Sequence, residues 1–200
     1  MSRPPMPPMP QVAQALILAG EQAQRAYELG LSGRFDSCIT SNYAEVYARL
    51  REECRRGDRF LEWGSGLGVI TALAASLGAE AYGIEIEPEL VRLSEGLVER
   101  HDVPATFACG SFFPDGFGED PELLHEDLMH DSVGADAYAE LGLELTDFDL
   151  IYAFPWPGEE DLFLDLFQRG AAPGSRLLIN YGSDGLRLER NTQLDEGPSR

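Results

Sequence analysis

Apolar residues recur along this chain with two different periods, and the change from one to the other organises it. From Gln11 to about Leu29 they fall at helical spacing (Val12, Ala15, Leu16, Ala19, Ala23, Ala26, Leu29), and Gly30 ends the run. A second helix is predicted from Ser41-Asn42, either of which can cap it, to Cys54, with Tyr43, Val46, Tyr47 and Leu50 on one face. Short apolar runs then alternate with helices. The predicted strands are 59–63, 80–85, 105–109, 147–153 and 175–181. The helices between them are 69–77, stopped by Gly78, 88 to about 100, opened by Pro88, and 159–169, ended by Gly170. Residues 186–190 supply one more short strand, antiparallel beside the fifth. Repeated βα units demand an α/β fold, a doubly wound and mostly parallel sheet with helices on both faces.

Length and local composition set the boundaries. The 200 residues suit one domain with a sizeable core. Residues 1–10, rich in proline, read as a disordered arm, 11–190 as the single domain and 191–200 as a loose polar tail. Between the third and fourth strands lie 37 residues, 110–146, where one helix would suffice. This insertion is strongly acidic and carries His125 and His130.

The chemistry starts at Phe60-Leu61-Glu62-Trp63-Gly64-Ser65-Gly66-Leu67-Gly68, with Glu85 nineteen residues beyond Gly66. A strand entering a glycine turn, a helix, and a second strand ending on a carboxylate form a nucleoside-binding half-site. A dinucleotide fold wants a further glycine three residues after Gly66, and that position is Val69. Glu62 beside the turn would repel a pyrophosphate and suits a cation. The alternating glycines resemble the acidic-x-Gly-x-Gly-x-Gly loop of class I S-adenosylmethionine-dependent methyltransferases. The resemblance covers residues 37–181, with specific motifs at 62–68 and 83–87. It implies S-adenosylmethionine as cofactor. Glu62, Gly64, Ser65, Gly66 and Gly68 would admit its methionine and ribose portions, and Glu85 would accept from both ribose hydroxyls. Ile86 would pack on an adenine face. Gly110, Ser111 and Phe112 would line the adenine side, where the family often has an Asp; Ser111 holds that place without the charge. Thr40 and Tyr43 would offer hydroxyls to the cofactor carboxylate.

After the fourth strand comes Tyr152-Ala153-Phe154-Pro155-Trp156-Pro157-Gly158-Glu159. Methyltransferases acting on nucleobase or glutamine amino groups often carry Asn/Asp-Pro-Pro-Tyr/Phe here. In this chain Ala153 takes the oxygen-bearing place and Trp156 keeps the aromatic, which disfavours those acceptors. Trp156 can meet a cationic acceptor with its π face, and Tyr152 or Glu159 can take a proton from an amine; these three are the catalytic candidates.

Composition narrows the partners. Thirty-five acidic residues face 15 basic ones, all Arg, for a formal charge of −20. Such a field repels phosphate backbones, so nucleic acid is disfavoured and a protein amine or small metabolite is the expected methyl acceptor. Cys38, Cys54 and Cys109 have no framework spacing, and no apolar run approaches a membrane span, so a cytoplasmic protein is expected. His125 and His130 are five apart with Met129 where a zinc-peptidase helix needs its second His, and no metal is expected. Two other readings compete with a transferase: a non-catalytic module that binds or senses S-adenosylmethionine, and a nicotinamide oxidoreductase, which Val69 disfavours.

Overall fold

A computed structural model describes residues 8–30, 41–114, 117 and 135–192, apart from the side chains of 24 and 27–30. Helices α1 (Gln11–Gly30) and α2 (Tyr43–Glu53) precede β1 (Arg59–Trp63), α3 (Val69–Ser76), β2 (Glu80–Glu85), α4 (Pro88–His101) and β3 (Ala105–Cys109). Then follow α5 (Ala137–Leu141), β4 (Leu150–Ala153), α6 (Glu160–Gly170), β5 (Arg176–Asn180) and β6 (Leu186–Arg190). The strand order is β3-β2-β1-β4-β5-β6. Only β6 runs antiparallel, with Leu188 opposite Leu178.

Alternation along the strands divides the interior into two layers. Phe60, Leu150, Tyr152 and Leu178 face α1 to α4, against Leu16, Leu50, Leu73 and Leu97. Leu61, Trp63, Ile151 and Ile179 face α5 and α6, against Tyr138, Phe163, Leu166 and Phe167. Chain order reverses between β1 and β4, which opens a crevice beyond their carboxyl ends.

Two boundaries differ from expectation. The fourth strand begins at Leu150, because Leu145–Asp147 forms a 3-10 turn closed at both ends by Glu144 and Asp147. Phe148, 1% exposed, ends that turn by donating its N–H to Leu145 O, and a buried apolar residue there looks like a strand residue in sequence. The packed chain also extends past residue 190. Asn191 is 2% exposed, and its Nδ2 donates to the carbonyls of Phe167, Gln168 and Ala171 at 3.3, 3.1 and 2.7 Å. At the other end, Met9 already packs on the first layer. Residues 115–116 and 118–134 of the insertion lie outside the described residues; its return carries α5 and the start of the 3-10 turn. No described helix is long and apolar enough to cross a membrane.

Candidate nucleoside-binding site

The glycine corner turns on three left-handed residues, Gly64 (φ 68°), Gly66 (φ 52°) and Gly68 (φ 70°). The reasons for glycine differ. A Cβ on Gly64 or Gly66 would meet nothing within 4 Å, whereas one on Gly68 would sit 2.6–2.7 Å from the Phe107 ring and Ser94 Cβ. Gly68 therefore lets α3 pack closely, while the space over Gly64 and Gly66 is open to a ligand. Ser65 N donates to Ile84 O at 2.9 Å and Gly68 N to Ser65 O at 2.8 Å. From α4, the Ser94 hydroxyl donates to Gly66 O, 2.9 Å away, and lies 2.8 Å from Leu90 O. Ser65 Oγ is buried without a hydrogen-bond partner, a group that a bound ligand or water would satisfy.

Two carboxylates flank the corner. Glu85, at the tip of β2, accepts from Gly66 N (2.8 Å) on one oxygen and from Glu87 N (3.0 Å) on the other. Both bonds fix the plane of the group and leave further lone pairs on each oxygen. Glu62 is 4% exposed and accepts from Thr71 N at 2.8 Å and from the Thr71 hydroxyl. Burial pushes its pKa up from 4.5 to about 8; the Thr71 bonds oppose this and the charge of Glu85 adds to it. A cation bound near the pair would favour the ionised form of Glu62.

The segment after β3 is held from beneath. Gly110 N donates to Glu85 O at 3.0 Å, and Ser111 N to Ala135 O at 2.9 Å. Ser111 Oγ accepts from Phe113 N at 3.1 Å, which turns it toward its own backbone. Phe112 stacks on Trp63 with centroids 5.7 Å apart. The buried Tyr138 hydroxyl accepts from Trp63 Nε1 at 3.0 Å and donates to Phe112 O at 2.9 Å, joining the end of β1 to the loop after β3. Ile86, beside Glu85, leaves an apolar side chain 37% exposed at the rim.

The fold that carries this site has a counterpart among solved structures. An RNA methyltransferase from Salinibacter ruber, in complex with S-adenosyl-L-homocysteine, superposes with a TM-score of 0.55 at 17% identity, over 81% of this chain and 98% of that one. The chain has the class I methyltransferase fold. Sequence relatives agree with it. A ribosomal protein L11 methyltransferase of Ralstonia pickettii is 38% identical over 68 residues, 34% of this chain and 23% of that protein. A protein-L-isoaspartate O-methyltransferase of Christiangramia forsetii is 28% identical over 100 residues, 50% of this chain and 46% of its own. The match spans less than half of either relative. No protein-family model matches the chain.

Within this methyltransferase fold the remaining candidates are placed as follows. Tyr43 is the first residue of α2 and packs half-buried on the first layer; Thr40 lies outside the described residues. Asn42 caps α2 by accepting from Glu45 N at 3.3 Å. Its neighbour Ser41 lies 2.7 Å, hydroxyl to hydroxyl, from Tyr152, and Asn180 Nδ2 donates to the same Tyr152 oxygen at 3.2 Å. Burial drives the Tyr152 pKa well above its usual 10, against the lowering effect of those two bonds and with Glu62 adding to the rise. A phenol so held ties the lead-in to α2 to β4 and β5 and does not take up a proton at neutral pH. Ala153 is fully buried. Trp156 is half-buried and opens a turn, its carbonyl accepting from Glu159 N at 3.0 Å. Pro157 and Gly158 (φ 97°) at the turn centre suit type II geometry. Glu159 is 7% exposed and stands at the N-cap position of α6 without a side-chain cap bond.

Ser41, Thr71, Ser94, Tyr138 and Asn180 were not anticipated as parts of the site. Each acts through a partner distant in sequence or through an adjoining turn, and no local spacing marks them. Among the described residues no group of three or more His, Cys, Asp or Glu could hold a metal; His125 and His130 lie outside them. A hollow of about 970 Å³ between α5 and α6, bordered by Phe117, Leu143 and Arg169, shares no residue with the glycine corner.

Proposed function

We propose that this chain transfers a methyl group from S-adenosylmethionine to an amine, first of all an amine of a protein. The observation that carries the reading is the Glu85 carboxylate, oriented by the Gly66 and Glu87 amides beside open space over Gly64 and Gly66. The residues present fit the group: open space over the left-handed Gly64 and Gly66, an orphaned Ser65 hydroxyl, an exposed Ile86 side chain, and two carboxylates suited to a cationic ligand. When bound, the cofactor supplies an electrophilic methyl on a sulfonium that is already a good leaving group.

The chain's own residues then bind, orient and exclude water. Glu85 accepts from the ribose hydroxyls, Ile86 covers an adenine face, and the Gly110–Phe112 segment lines the far side. Alignment and desolvation do most of the work, with roughly 7–11 kcal/mol available from well-oriented proximity. Trp156 presents its ring to a cationic acceptor, a contact worth about 0.5–2 kcal/mol. Glu159, in the same turn, is the carboxylate that can orient the amine and hold its proton. The preference for a protein acceptor draws support from the names of the two sequence relatives, both of which specify protein substrates. One of them is an O-methyltransferase, so the preference for nitrogen rests on the −20 charge and Trp156. Ala153, with no side-chain oxygen at the tip of β4, favours the second reading, a non-catalytic S-adenosylmethionine-binding module.

Calorimetry with S-adenosylhomocysteine and with NAD separates the cofactor classes. Tight NAD binding without response to the former ends the methyltransferase reading. Labelled methyl transfer into a lysate, with protein and small-molecule fractions counted apart, then tests the acceptor. Label in protein is expected; label in neither fraction, with the cofactor bound, leaves the binding module.

A further inference from the structure

Strand β6 forms one edge of the sheet, with β5 on its inner side and no described strand beyond it. Antiparallel ladders alternate hydrogen-bonded and non-bonded residue pairs. Tyr181 N donates to Gly185 O and Asn191 N to Ser175 O, both at 3.0 Å, so the odd-numbered residues of β6 turn their backbone groups toward β5. Leu186, Leu188 and Arg190 therefore direct N–H and C=O outward. The Gln168 side chain donates to Arg190 O at 3.2 Å, which leaves that carbonyl a second lone pair. Leu186 and Leu188 lie half-buried on the first layer, and Arg187 and Glu189 project from the opposite face.

We propose that two copies of this chain join through β6, paired antiparallel about Leu188. In that register Leu188 and the partner's Leu188 exchange both backbone bonds, and Leu186 pairs with the partner's Arg190. Arg187 then falls opposite the partner's Glu189, in the non-bonded position where side chains approach most closely. Two-fold symmetry forms this contact twice. Charge selects the register. Sliding the partner by two residues sets Arg187 against its own copy in one direction and Glu189 against its own copy in the other. The net charge of −20 on each copy opposes the encounter. At physiological ionic strength that repulsion is screened beyond about 8 Å, while contacts within the strand pair persist.

The test is the mass of the full chain by sedimentation equilibrium at physiological salt, from micromolar to submillimolar concentration. A dimer is expected. Arg187→Glu and Glu189→Arg should each weaken it by about tenfold or more, because every substitution acts at two contacts, and the combined exchange should restore it. Leu188→Pro removes an N–H that serves no bond to β5 and should abolish the dimer; circular dichroism checks that each variant is folded. A chain that stays monomeric throughout overturns the proposal. So does a dimer indifferent to the single exchanges, or a combined exchange no better than either alone.

Discussion

At Gly68 and Gly66 the same backbone conformation serves different ends, and substitution separates them. Gly68→Ala places a methyl against Phe107 and Ser94 in a left-handed backbone, so unfolding by denaturant should show a loss of about 2–4 kcal/mol. Gly66→Ala carries only the strain of φ, about 1 kcal/mol, and should act mainly on the ligand. Its S-adenosylhomocysteine affinity should fall by more than its stability accounts for. Glu85→Ala should weaken the same ligand tenfold or more, since a charge-assisted pair of bonds is worth at least about 1.5 kcal/mol. An unchanged dissociation constant by calorimetry removes Glu85 from the site. Glu62 gives a pH prediction. Its pKa is raised in the fold from 4.5 to about 8, so between those values the folded chain binds more protons than the unfolded one, and the contribution of this group falls as pH rises. Glu62→Gln abolishes that titration. The variant should gain in Tm relative to the parent as pH climbs from about 5 to about 8; a constant difference would falsify the assignment.

Among the elements, legibility followed the range of the interactions. Strands β1, β2, β3 and β6 lie at their expected positions because each is a short apolar or alternating run bounded by turn residues. The glycine corner and Glu85 were legible because their spacing within one βα unit is itself the signal. The start of β4 was not, since Phe148, the apolar residue that closes the Leu145–Asp147 turn, reads as part of the strand that follows. Tyr138 and Asn191 were invisible for a different reason: their partners come from β1, the loop after β3, and α6. The same holds at the amino edge of the sheet, where Arg176 of β5 is 5% exposed. Its guanidinium pairs with Asp58 at 2.5 Å and donates to Glu53 O at the end of α2. Asp58→Ala would leave a buried charge without its counter-ion, and chemical denaturation should register a loss of about 3 kcal/mol or more. A loss under about 1 kcal/mol would mean that water reaches the guanidinium.

Across the whole molecule, 35 acidic residues against 15 basic ones load the compact state with self-repulsion. Added sodium chloride should therefore raise Tm steadily up to physiological ionic strength, as screening shortens toward about 8 Å. A Tm independent of salt would mean that local ion pairs already neutralise the surface. The doubly wound plan was readable from chain-wide alternation of strands and helices, and the split into two layers follows from period-two patterning in β1, β4 and β5. Placement of helices against particular strands was not readable, because it depends on which side chains meet across the sheet. Asn191 has a practical corollary. Three carbonyls at the end of α6 converge on one amide, which with the Gln168–Arg190 bond stitches the seam between the last helix and the outer strands. Expression vectors that trim the chain at residue 190 would unpick the amide's share of it, whereas a fusion joined after residue 192 would leave the stitch intact.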